Sequence, residues 1–171
     1  PHIDSLISRG SVAALSVKVI GVPALSKSYA TLSAGLRATA VDSTMTNFLE
    51  PKETSDGNTA ETIYQNQRGE IDVKDPAALG IGFEAVIRAN KKSLNQAKVG
   101  LFASTLASKN KSVAVFGNSD SCLEIGTGCY DRSSAYFATN TDGIVRYGEI
   151  SRILLLPARA TQSTQPTTDY V

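Results

Sequence analysis

Tryptophan is absent, methionine and histidine occur once each, and aromatic residues make up 6% of the 171 residues. Pockets for carbohydrates or aromatic ligands are usually built from such rings, so this thin supply argues against one. The single histidine, His2, stands at the N-terminal end. A Ser–His–Asp triad or a multi-histidine metal site is therefore all but excluded. No apolar run reaches 18 residues, so none has the length of a membrane-spanning helix. The start, Pro1-His2-Ile3-Asp4, has neither the basic leader nor the apolar region of a secretory signal. It suits a trimmed initiator methionine or a processed fragment.

Acid is missing from one long stretch. Between Ala85 and Ser119, 35 residues carry no Asp or Glu but hold Arg88, Lys91, Lys92, Lys98, Lys109 and Lys111. The formal net charge of +1 conceals this segregation: residues 1–41 carry four basic side chains and one acidic, residues 42–76 three basic and eight acidic. Clustered cations are the footprint of a polyanion-binding face. The competing reading is a solvated surface with ordinary lysines.

Recognisable catalytic machinery is also lacking. Gly80-Ile-Gly82 and Gly126-Thr-Gly128 have neither the spacing nor the Lys-Ser/Thr of a phosphate-binding loop. Asn140-Thr-Asp-Gly143 begins like a calcium loop, but the alternating ligands that should follow are missing, so a turn or helix start is the better reading. Cys122 and Cys129 bracket a glycine-rich hexapeptide without the further Cys or His of a zinc site. An intraloop disulfide, thiols facing a neighbouring subunit and unpaired bystanders all remain open for them. The chain reads as a non-enzyme without cofactor or metal.

What is present suits one domain spanning residues 1–171. Hydrophobic residues make up 42% and charged residues 19%, which excludes intrinsic disorder. About a third is small: 20 Ala, 19 Ser and 15 Thr. Several runs alternate apolar and polar residues: Leu15, Val17 and Val19; Ala30 to Ala38; Phe83, Ala85 and Ile87; Val99, Leu101 and Ala103; Val113 and Val115; Ala135 and Phe137. Such alternation predicts half-buried antiparallel strands. The 29–41 run also fits a helix through Tyr29, Leu32, Leu36 and Ala40. Polar connections fall at 53–58, 90–95 and 108–111. Residues 42–80 read as a long acidic insertion, and 158–171 as an extended arm. Phe83 to Ser104 then forms a hairpin with Arg88, Lys91, Lys92 and Lys98 at its polar face or turn, where basic groups could hold RNA phosphates.

The segment from Phe83 to Phe102, reading strand, Arg, polar turn, Lys, strand, resembles the RNA-binding hairpin of the coat proteins of single-stranded RNA bacteriophages, the levivirus-like coats. Cys122-Leu-Glu-Ile-Gly-Thr-Gly-Cys129 is similar to a cysteine-bearing loop in several members, and 134–156 to their last strand and first helix. Gly21-Val-Pro-Ala-Leu25 resembles a turn near their N-terminal hairpin. The resemblance implies an α+β fold: an antiparallel sheet with an N-terminal hairpin and a C-terminal helix packing across a dimer partner. It tips 142–156 to a helix, whereas local chemistry alone makes Asp142-Gly143 a hairpin turn. It further implies a homodimer that closes into an icosahedral shell and binds single-stranded RNA through Arg88, Lys91, Lys92 and Lys98. Cys122 and Cys129 would link subunits. The protein would assemble in the host bacterial cytoplasm and reside in the virion, without a membrane partner. A pilin-like extracellular fibre subunit and an RNA-binding module that does not assemble are the competing roles.

Overall fold

Three short segments without a readable alternation form the sheet at the centre of the fold. In the computed structural model, residues 2–10, 17–41, 47–120, 131–156 and 167–168 are described. The helices are α1 (His2–Arg9), α2 (Leu25–Ala34), α3 (Ala60–Arg68), α4 (Phe83–Lys91), α5 (Leu101–Ala107) and α6 (Ala135–Ala138). The strands are β1 (Asn47–Leu49), β2 (Thr54–Ser55), β3 (Asn58–Thr59), β4 (Ala78–Ile81), β5 (Ala114–Phe116), β6 (Ile144–Val145), β7 (Tyr147–Glu149), β8 (Leu155–Leu156) and β9 (Thr167–Thr168). The fold is α+β, with a small antiparallel sheet and several helices.

Strand β4 lies between β1 and β6, antiparallel to both, with Phe48 opposite Gly80 and Leu79 opposite both Leu49 and Ile144. Both faces of this sheet are covered. Leu79 and Ile144 pack with Tyr64 of α3 on one face. Phe48, Ala78 and Val145 belong to the main core on the other, with Phe83, Tyr136 and a set of buried alanines. The rings of Phe48 and Tyr136 meet edge to face with centroids 5.0 Å apart. Much of the alanine content is explained here: Ala30, Ala34, Ala135 and Ala138 are buried where α2 packs on α6.

Within the 42–80 segment read as an insertion, residues 47–80 are regularly structured: they supply β1 to β3, α3 and most of β4. Local chemistry explains the middle of this region. Asp56 and Gly57 both have positive φ (49° and 80°), which closes a two-residue hairpin between β2 and β3. Thr59 then caps α3, its Oγ1 accepting from the Thr62 N–H at 3.3 Å.

Several expected strands are helices. At 29–34 the helical alternative holds: this part of the alternation lies in α2, which buries Ala30, Ser33 and Ala34 at helical spacing and ends at the left-handed Gly35. Neither strand of the expected 83–104 hairpin forms. Phe83, Val86 and Asn90 line the buried face of α4, so the period is three to four residues and not two. Residues 98–100 turn into α5, and Ala135–Ala138 is helical. Alanine and leucine favour helix, and burying one helical stripe outweighed a fortuitous alternation.

The opposite correction applies to 142–156. No long helix forms; the segment contains β6, β7, a 3₁₀ turn at Arg152–Leu154 and β8. The Asn140 carboxamide oxygen accepts from the N–H groups of Asp142 and Ile144, at 3.0 and 2.8 Å, and Gly143 has φ 88°. Thr139 bridges Val145 across that turn, as the local reading of Asp142-Gly143 predicts. Residues 17–19 form no strand; Val115 lies in a strand as expected, but that strand, β5, pairs parallel and not antiparallel with β7. The arm at 158–171 lies outside the described residues except for β9, which pairs with β8.

Candidate functional site

The four cations singled out from the sequence lie on and just beyond α4, not on a sheet. Arg88, Lys91 and Lys92 occupy its last turn and C-terminal cap, and Lys98 follows on the connection to α5. All four are exposed. Arg88 lies three and four residues before Lys91 and Lys92, so these side chains share one helical side. Their placement at a helix C-terminus also complements the partial negative charge there.

Glu84 lies one turn before Arg88, where it would ordinarily offset the arginine charge. It is held elsewhere. Arg68, at the end of α3, donates to Glu84 Oε2 at 2.6 Å and lies 3.5 Å from Asp142. No ion pair involves Arg88, Lys91, Lys92 or Lys98 among the described residues.

Asn90 fixes the orientation of this helix end. Its Nδ2 donates to the carbonyls of Val86 and Thr39, and its Oδ1 accepts from the Thr39 N–H. A second amide, Asn95, donates to the Arg37 carbonyl at 3.1 Å, which brings exposed Arg37 beside the segment following α4. Sequence reasoning missed Arg37. The basic excess of residues 1–41 was the available signal, but nothing local connected it to α4. Lys109 and Lys111 are likewise exposed, in the turn after α5.

Acid gathers away from these cations. Arg132 is buried and makes five hydrogen bonds, to Glu53, Asp120 and the Phe48 carbonyl. Burial works against its charge, but the hydrogen bond to Glu53 and the charges of Asp120 and Glu53 outweigh that and raise its pKa. Burial, then the charges of Glu149 and Glu53, push the Glu50 carboxyl above the ordinary range. Glu149 moves the other way, chiefly because Ser151 hydrogen-bonds to it. With every Arg132 donor matched, this cluster is a structural clasp joining β1, the start of the β2–β3 hairpin and the segments around Asp120 and Asp131.

Among the described residues no group of three or more His, Cys, Asp or Glu side chains is placed to hold a metal ion. Cys122 and Cys129 lie outside the described residues. Asp120 Oδ1 accepts from the Asp131 N–H, and the Ser119 N–H donates to the Asp131 carbonyl, so the chain on either side of 121–130 is tied together. Among the described residues no helix is long and apolar enough to cross a membrane. No family model, curated protein or solved structure matches the chain.

Proposed function

We propose that this chain is a coat-type structural subunit that binds single-stranded RNA and associates with copies of itself. One observation carries the reading: the acid-free stretch becomes a set of six exposed cations that have no ion-pair partner among the described residues. RNA phosphates are the matching polyanion, and releasing their counterions drives such binding. Charge and exposure support this role; the hairpin on which the family resemblance relied is replaced by α4 and α5. The binding surface in this reading is therefore helical.

Self-association draws support from apolar exposure. Leu94, Ile153, Phe116 and Leu36 are all more than half exposed. Phe116 lies on β5, whose only strand partner among the described residues is β7. Exposed apolar side chains and an open strand edge both favour partners.

The test combines RNA titration over a range of salt concentrations with negative-stain microscopy. Changing Arg88 and Lys98 to Ala should weaken single-stranded RNA binding and reduce the salt slope by about 1.4, at roughly 0.7 per lost phosphate contact. Closed shells in the microscope support the coat role, whereas filaments favour a fibre subunit. Unchanged affinity and slope would reduce the basic stretch to a solvated surface.

A further inference from the structure

The parallel pair β5–β7 ends in a concave site that shares only Lys111 with the cations of the proposed RNA-packaging role. Ala114 is registered opposite Tyr147, so Lys111–Val113 and Arg146 emerge at the same end of the pair. Together with α5 and α6 they line an open cleft of about 300 Å³. The small side chains of Ala103, Ala107 and Ala138 form part of its wall, leaving the room that larger residues would fill. This volume is at the lower end of the range for small-molecule sites.

Three features of the lining point to a ligand chemistry. Lys111 and Arg146 both line the cleft and are exposed, and neither has an ion-pair partner among the described residues. Nearby Asp142 is engaged by Arg68 at 3.5 Å. Tyr147, 52% exposed, offers a ring face in a chain with few rings. Asn140 completes the set. Two backbone N–H groups occupy its Oδ1, which fixes the amide orientation and leaves Nδ2 as a donor for the cleft it lines.

We propose that this cleft binds a single nucleotide unit, with its phosphate between Lys111 and Arg146 and its base against Tyr147. Arginine and lysine recognise phosphate by charge-assisted hydrogen bonds. An aromatic face holds a base without needing its identity, and amide donors can engage the base edge. A simple inorganic anion would leave the ring face and the Asn140 donor unused. The nucleotide can be free or belong to a strand, and the site does not depend on packaging by α4.

Calorimetric titration of the intact protein with the four nucleoside 5′-monophosphates tests the site, with inorganic phosphate and an unphosphorylated nucleoside as comparisons. Saturable binding of at least one monophosphate, tighter than either comparison, is expected. Lys111→Gln and Arg146→Gln should each weaken it roughly tenfold, the scale of one charge-assisted hydrogen bond. Tyr147→Leu should weaken nucleotide binding and leave phosphate binding unchanged. Circular dichroism monitors folding of these surface variants. A short oligonucleotide that competes with the monophosphate identifies a strand as a source; a monophosphate that binds without such competition identifies the free nucleotide. Arg88→Ala should leave monophosphate affinity unchanged, so failure of the α4 reading and failure of this site are separable. No saturable monophosphate binding, or binding indifferent to both cation variants, would overturn the proposal.

Discussion

Asn90 and Thr39 exchange two hydrogen bonds across 51 residues of chain: the Thr39 N–H donates to Oδ1 at 3.0 Å, and Nδ2 donates to the Thr39 carbonyl at 2.8 Å. The side chain thereby pairs with a backbone segment as a neighbouring strand would. It also turns the basic end of α4 toward the segment that follows α2.

Replacing Asn90 with Ala would strand both Thr39 groups in a site where Asn90 is 1% exposed. Each buried group left unpaired costs about 1–3 kcal/mol, so N90A should lower stability by about 2–6 kcal/mol. Urea unfolding measures this directly. A loss below half a kcal/mol would mean that Thr39 finds other partners.

Gly100 and Gly57 separate backbone conformation from crowding. Both have positive φ, but a Cβ on Gly57 would meet open space, while one on Gly100 would overlap the Asn140 carbonyl. Gly57→Ala should cost about 1 kcal/mol, and Gly100→Ala about 3 kcal/mol or more. Comparable thermal shifts for the two variants would contradict this packing of α5 on the 139–145 hairpin.

Glu50 has a raised folded-state pKa, caused first by burial and then by Glu149 and Glu53. Its neutral form is therefore the one the fold favours. The stabilising contribution is present below its unfolded pKa and is lost as pH rises through the folded value. Glu50→Gln should accordingly raise the melting temperature near pH 7, with the advantage vanishing below about pH 4. Melting curves across that range check the sign; a variant less stable at pH 7 would contradict it.

Arg68 protects the proposed RNA surface without belonging to it. In Arg68→Ala, Glu84 loses its 2.6 Å partner and becomes available to Arg88 one turn away. RNA affinity should fall and the salt slope shrink by about 0.7, roughly one phosphate contact. Adding Glu84→Gln should restore both. Circular dichroism should accompany the titrations, because Arg68 is 16% exposed and also faces Asp142, so its removal carries a stability cost beyond that of an exposed pair. RNA titrations on wild type, single and double variants would expose the idea if the second substitution rescued nothing.

The turn at Asp142-Gly143 was legible because its geometry belongs to a few adjacent residues, and Asn140 completes it locally. At 30–38 strand and helix both stayed open, and the segment at 83–88 read as a strand. Their small and apolar residues satisfy a period of two and a period of 3.6 nearly as well, and the choice lay with what packed against them. The central sheet escaped notice for another reason: β1 has three residues and β6 two, too few for any periodicity.

Charge segregation is a property of the chain alone, because counting signs along it needs no coordinates. So are the tightest turns, where positive φ is a property of one or two residues. Which cations stay unpaired among the described residues, and what stands beside them, follows from the packing of distant segments. Arg68 takes Glu84 from 16 residues away, and Asn95 reaches the Arg37 carbonyl across 58. Those partnerships depend on distances through space, set by how α3 packs on β4 and how α2 and α4 share the main core, and no local pattern encodes them.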